Sequence, residues 1–284
     1  MPFTTLIDAP TLARQLERAD VVTFDCRFDL GDPAWGENEF IAAHLPGAQY
    51  AHLDRDLSGP VRPDSGRHPL PDPQRFAAWL ATKGVDDRCQ LIAYDQGNGA
   101  YAARFWWLAR WVGLRAVAVL DGGIGVWRAA GLPLDSAVRE RAPRRFTATV
   151  DDLAWVTSEA VAALRGRPGN LLVDARGAER FAGRNETLDQ VAGHVPGARN
   201  LPFLGNLGAD GKFLGADTLR QRWGTMLGSL PSTALVAMCG SGVTACHNLL
   251  ALEHAGFSGA RLYAGSWSEW IRDPGRPIAT GSAP

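Results

Sequence analysis

The sequence predicts an α/β chain of two tandem domains, each a mainly parallel sheet flanked by helices. Two observations carry the prediction. Short runs rich in β-branched residues alternate with amphipathic stretches, the pattern of parallel strands joined by crossover helices and covered on both faces. The chain also matches itself: five short segments of its first half recur, in the same order, in its second half. At 284 residues there is room for two cores of ordinary size.

The matches set the elements in order. Val21-Val-Thr-Phe-Asp-Cys-Arg27 pairs with Leu171-Leu-Val-Asp-Ala-Arg176, an apolar strand closed by Asp, a small residue and Arg. Ala43-His-Leu-Pro-Gly-Ala48 pairs with Gly193-His-Val-Pro-Gly-Ala198. The apolar run Leu91–Tyr94, ending at Asp95, pairs with Leu235–Met238, ending at Cys239. The segments 119–127 and 262–270 both close on tryptophan, and Gly131-Leu-Pro-Leu134 pairs with Gly275-Arg-Pro-Ile278. Between the strands, helices are expected at 10–19, 73–83 and 99–112, and at 158–165, 218–227 and 244–255. The copies are expected to span 1–135 and 155–284. The connector, 136–154, carries Arg139, Glu140, Arg141, Pro143, Arg144 and Arg145 and little apolar periodicity, which suits an exposed linker. Acidic residues, Glu140, Asp151 and Asp152 among them, interrupt its basic cluster, so it does not read as a nucleic-acid patch.

Composition excludes several classes of function. A net charge of −1 argues against a nucleic-acid partner. No apolar run is long enough to span a membrane, and the N-terminal residues lack a secretory pattern. The four cysteines, at 26, 89, 239 and 246, form no Cys-x-x-Cys pair, so neither a zinc site nor a disulfide framework is expected. A reducing cytoplasm is the expected compartment, with no cofactor and no metal.

The chemistry concentrates at Val236-Ala-Met-Cys-Gly-Ser-Gly-Val-Thr-Ala-Cys246. A buried strand runs straight into Cys239, then into a glycine-containing loop, then into a helix from about Thr244. Such a loop turns backbone N–H groups toward whatever it holds, and the helix dipole adds to them. A cysteine at its head is expected to favour the thiolate. A packing cysteine needs no glycines after it; a thiolate that must admit an anion does. Asp95 stands at the matching place in the first copy, so that loop keeps its glycines but lacks the thiol. Cys246 lies two turns further along the helix, where packing is its default role.

These motifs together resemble the rhodanese superfamily over nearly the whole chain. The resemblance implies two rhodanese-like domains, the first inactive, the second holding sulfur on Cys239 as a persulfide. The loop Cys239-Gly-Ser-Gly-Val-Thr-Ala245 is similar to that of the 3-mercaptopyruvate sulfurtransferase branch. Thiosulfate-type members typically carry basic residues where this chain has Gly240 and Ser241. The implied activity moves sulfur from 3-mercaptopyruvate to a thiol, such as a thioredoxin-like protein, or to cyanide, with thiosulfate as alternative donor. It implies Cys239, Ser241, His68 and Asp54 as catalytic residues. Arg180 would bind the donor carboxylate, and the loop residues Gly240, Gly242, Val243 and Thr244 would hold the sulfur; Thr244 also suits a helix N-cap. The branch carries a second arginine before the Gly-His; this chain has Thr187-Leu-Asp-Gln-Val191 there, with Arg184 the nearest substitute. The Asp–Arg strand ends, His44, His194 and the tryptophans read as structural. A cysteine phosphatase would need arginine six residues after Cys239, where Ala245 stands. A non-catalytic persulfide carrier is the third reading.

Overall fold

The computed structural model describes residues 2–283. They form two compact units. The first comprises residues up to Gly59, with Leu70–Asp151 and Ala209–Phe213; the second comprises Pro60–Pro69, Asp152–Gly208 and the chain from Leu214 on.

In the first unit the order is β1 (Leu6–Ile7), α1 (Ala9–Ala13), β2 (Val21–Asp25), α2 (Trp35–Ala42), β3 (Gln49–Tyr50), α3 (Pro73–Thr82), β4 (Gln90–Tyr94), α4 (Ala100–Trp111), β5 (Val117–Leu120) and α5 (Gly123–Ala129). The second runs β6 (Trp155–Val156), α6 (Ser158–Leu164), β7 (Leu171–Asp174), α7 (Ala178–Phe181), β8 (Arg199–Asn200), α8 (Ala216–Leu227), β9 (Leu235–Met238), α9 (Thr244–His254), β10 (Arg261–Tyr263) and α10 (Ser266–Trp270). The sheets are ordered β1-β5-β4-β2-β3 and β6-β10-β9-β7-β8, one pattern displaced by five strands. Every strand pairing is parallel. Strands β2, β7 and β9 are buried along their whole length, as a sheet covered on both faces demands.

Local chemistry explains the helix starts. Asp72 caps α3 by accepting the Arg75 N–H at 2.8 Å, with Pro73 in the first turn, where its missing donor costs nothing. Asp8 caps α1 in the same way through Thr11. The expected helix at 10–19 is shorter than its apolar pattern suggests. After Ala13 the chain passes into tighter turns, Gln15 N–H to Leu12 O and Arg18 N–H to Gln15 O, which deliver Val21 into β2. Two glycines with φ near +80°, Gly99 and Gly122, precede α4 and α5.

A buried ion pair closes the same strand in each unit. Arg27 donates through Nε and Nη2 to the Asp25 carboxylate and gives Nη2 also to the Ala43 carbonyl at 2.7 Å. Arg176 does the same with Asp174 and with the Gly193 carbonyl at 2.8 Å. All four residues are buried. Each pair fastens a strand end to the turn carrying the His-x-Pro-Gly box, so the recurrence of Asp-x-Arg together with that box has one physical cause. Behind it, the Trp127 indole N–H donates to Pro133 O at 2.8 Å and that of Trp270 to Pro277 O at 3.0 Å. The repeated Gly-x-Pro segments are the acceptors for the repeated tryptophans.

Most residues of the expected connector have exposed side chains, yet its backbone up to Asp151 lies along the first unit. Arg144 N–H meets Ala81 O, Thr149 N–H meets Val112 O and Asp151 N–H meets Trp111 O. Among the described residues, no helix is long and apolar enough to cross a membrane.

Removing one partner of a buried ion pair strands the other charge in a dry site. Arg27→Met is expected to destabilise the protein by about 3–5 kcal/mol, read as a lowered urea midpoint; an unchanged midpoint would show that the pair contributes little.

Candidate active site

Strand β9 ends at Met238, and Cys239 opens the loop that enters α9. The loop can turn so tightly because Gly242 has φ +80° and approaches Ala264 O, which would lie 2.3 Å from any Cβ placed there. That turn points the Gly242 N–H at the Cys239 sulfur, 3.1 Å away. The cap position of α9 falls on Val243, which makes no side-chain capping bond, so Thr244 is the first helical residue and not the N-cap.

The rest of the loop is stitched to the start of α10. Cys239 N–H donates to Ser266 Oγ at 3.0 Å, and Ser266 Oγ donates in turn to Tyr263 O at 2.8 Å. Trp267 N–H meets Cys239 O and Ser268 N–H meets Gly240 O. Ser266 has φ +54°, the one non-glycine in the left-handed region among the described residues. Local strain of this kind is retained where surrounding bonds over-determine it. Cys239 is 2% exposed and Ser241 7%.

His68 belongs to the second unit, although it lies in the first half of the sequence. Its Nδ1 and Ser241 Oγ form a 2.7 Å hydrogen bond. The segment is held by Arg67 N–H to Ser268 Oγ and by Arg272 Nε to Ser65 O. Gly66 lies so close to Gly265 O that an added Cβ would be 2.6 Å from it. Asp54 belongs to the first unit, where its N–H donates to His52 Nδ1.

Arg180, on α7, is part of a charge cluster beside the loop. Its Nε and Nη2 donate to Glu186, and Nη2 also reaches Asp189 at 3.2 Å. The other oxygen of Asp189 accepts from Arg67 Nη1. Arg176 Nη1 reaches Glu186 at 3.5 Å. Burial works against ionisation of Glu186, but the donors Arg180, Leu188 N–H and Asp189 N–H outweigh it and hold its carboxyl below the ordinary 4.5. Arg184 instead pairs with Glu179 at 2.6 Å, both side chains being more than half exposed. The structure therefore brings Cys239, Ser241, His68, Gly240, Gly242 and Arg180 together, while Arg184 faces solvent. Sequence reasoning missed Arg67, Asp189 and Ser266. Arg67 adjoins His68 in the chain, which was the available signal.

In the first unit Asp95 takes the place of Cys239. Its carboxylate accepts the N–H groups of Gly97, Gly99, Tyr101 and Ala102 at 2.9–3.3 Å. The side chain thus fills its own amide cradle.

Two copies of one fold, each with a loop of this build at a strand end, define a class. The family model of the rhodanese-like domain matches residues 8–130 and 157–273, and the chain belongs to that family. A Pseudomonas aeruginosa protein named "Probable 3-mercaptopyruvate sulfurtransferase" is 49% identical over 99% of this chain and 100% of its own. "Putative thiosulfate sulfurtransferase SseB" of Mycobacterium tuberculosis is 37% identical over 98% of each. The solved 3-mercaptopyruvate sulfurtransferase from Leishmania major superposes with a TM-score of 0.84 at 31% identity, covering 95% of this chain and 76% of that one.

A carboxyl held below its ordinary value adds stability that is present above about pH 4.5 and is lost as pH falls through the folded value. The difference in urea midpoint between wild type and Glu186→Gln is therefore expected to be largest above about pH 5 and to shrink toward pH 3 or so. A difference that stays constant with pH would contradict this charge assignment.

Proposed function

We propose that this chain is a sulfurtransferase that moves sulfane sulfur from 3-mercaptopyruvate to a thiol or cyanide through a persulfide on Cys239. The observation that carries the reading is the sulfur of Cys239 at the carboxyl end of β9, receiving the Gly242 N–H, with the Ser241–His68 pair in the same loop region. Family membership and the names of the relatives support the donor.

The steps balance. The Cys239 thiolate attacks the donor sulfur, and an S–S bond forms as the donor C–S bond breaks. The bonding pair leaves on the methylene carbon as the enolate of pyruvate. That carbon gains a proton and the outer sulfur gives one up, leaving pyruvate and an anionic persulfide. Thiolate or cyanide then takes the outer sulfur, and Cys239 returns as thiolate. The N–H groups from Gly240 to Thr244 stabilise the negative sulfur, as an oxyanion hole does for oxygen. Ser241 and His68 hold and move the proton at Ser241 Oγ. Arg180 takes the donor carboxylate. Asp54 is the third catalytic residue of the proposal. The first copy, with a carboxylate in its cradle, carries no sulfur.

The acceptor thiol is assigned to a small thioredoxin-like protein, and the compartment to the cytoplasm, where thiols stay reduced. The relative named for thiosulfate favours a second reading in which thiosulfate serves as a slower donor.

Incubation with 3-mercaptopyruvate is expected to raise the protein mass by one sulfur, mapped to Cys239, and Cys239→Ser should lose both loading and turnover. An unchanged mass would refute the reading. Ser241→Ala, His68→Asn and Asp54→Asn should each lower kcat for mercaptopyruvate by about 10²-fold or more. Equal rates in these variants would remove the residues from the proton path.

A further inference from the structure

We infer that Glu269 is a positioning residue of the proton path: it clasps the strap that carries His68 and so sets that imidazole against Ser241. This rests on the roles proposed above for His68 and Ser241.

Three consecutive residues before His68 are each held by α10 or by a residue just beyond it. Arg272 Nε donates to Ser65 O at 3.3 Å, the Gly66 N–H donates to the Glu269 carboxylate, and the Arg67 N–H donates to Ser268 Oγ at 3.1 Å. Positions 268, 269 and 272 are spaced as neighbours on one helical face. One short face therefore grips the strap at three points. The strap is exposed from Val61 to Asp64 and turns inward where the clasp begins, so that Gly66 and His68 are both buried. One residue past the clasp, His68 Nδ1 meets Ser241 Oγ at 2.7 Å.

The middle bond of the three has a space made for it. Gly265 has φ −62°, a value open to any residue, so glycine is needed there for room and not for its backbone. A Cβ on Gly265 would lie 2.1 Å from Glu269 Cδ and 2.2 Å from its Oε2. A Cβ on Gly66 would lie 2.6 Å from Gly265 O and 2.9 Å from Ser268 Oγ. Two glycines thus let a carboxylate fold back over the start of α10 and meet the main chain of the strap.

Packing alone does not call for an acid at this place. Burial pushes the Glu269 carboxyl above its ordinary 4.5, and Glu159 adds to the rise, while Ser158, Arg276 and the Gly66 N–H pull the other way. In the first unit the matching position is Val126, whose Cγ2 would lie 2.1 Å from a Cβ on Gly122. A methyl group fills the same space there, with no acceptor. The carboxylate stands in the copy that holds Cys239, where a strap bearing a histidine has to be held.

The test separates sulfur loading from sulfur discharge. Rapid mixing with 3-mercaptopyruvate follows persulfide formation, in which carbon takes up a proton; mixing of preloaded enzyme with cyanide follows a step that needs no proton. For Glu269→Leu, the loading rate is expected to fall about 10- to 100-fold, as a misplaced proton carrier implies, with little change in the half-saturating donor concentration. Discharge should match wild type. Glu269→Gln keeps an oxygen for the Gly66 N–H and should recover most of the loss. In a His68→Asn background, Glu269→Leu should slow loading no further. Ser268→Ala, which removes the acceptor of the Arg67 N–H, serves if the Leu variant fails to fold; it should show the same split between the two steps. Equal slowing of loading and discharge would overturn the inference, and so would unimpaired loading or additive losses in the double variant; none of these would touch the persulfide reading. Loading of His68→Asn at the wild-type rate would instead remove the proton path itself, and the positioning role with it.

Discussion

Backbone N–H groups gathered at the carboxyl end of a central parallel strand must be given an electron-rich partner. Left bare in a buried loop they would cost as much as lost hydrogen bonds. The two halves of this chain answer that demand differently. The first places the Asp95 carboxylate there and satisfies four amides at once. The second places the Cys239 sulfur there, with Gly242 N–H donated to it. One loop geometry thus gives a closed structural knot in one copy and a cysteine sulfur held by a backbone amide in the other.

Around that loop, order comes from bonds between segments far apart in sequence. Ser266, held at positive φ, fixes the Cys239 amide, and α10 fixes the carbonyls of Cys239 and Gly240. The segment carrying Arg67 and His68 is pinned to Ser268 and to Ser241. Each contact costs conformational freedom and is worth only about 1 kcal/mol net. Several together hold the loop around Cys239 in one shape.

Charge follows the same economy. Asp174–Arg176 is fully buried and ties backbone together; its second neighbour, Glu186, belongs to the Arg180–Asp189–Arg67 set. The chain of alternating signs runs from a buried strand end toward a partly exposed pair of guanidiniums. The buried Arg176 and the partly exposed Arg180 share Glu186, so a change there would reach both.

Much of this was legible in the sequence. The repeat revealed two domains, and α3, α4 and α9 lay close to their expected places because caps, glycines and apolar periodicity agreed there. The short helices α5, α7 and α10 went unseen; a helix of one or two turns has too few residues to show a period. Cys239 and its glycines could be read directly, because a strand–Gly loop–helix passage is local. The settings of Arg67, Asp189 and Ser266 could not. The contacts of Arg67 with Ser268 and Asp189, and of Ser266 with the Cys239 amide, span 27 to 201 residues, and only the folded chain brings these groups together. Sequence determined which atoms could carry sulfur, since that chemistry belongs to single residues and their neighbours. Tertiary structure decided which cations stand beside it, since charge acts through space and takes no account of chain order.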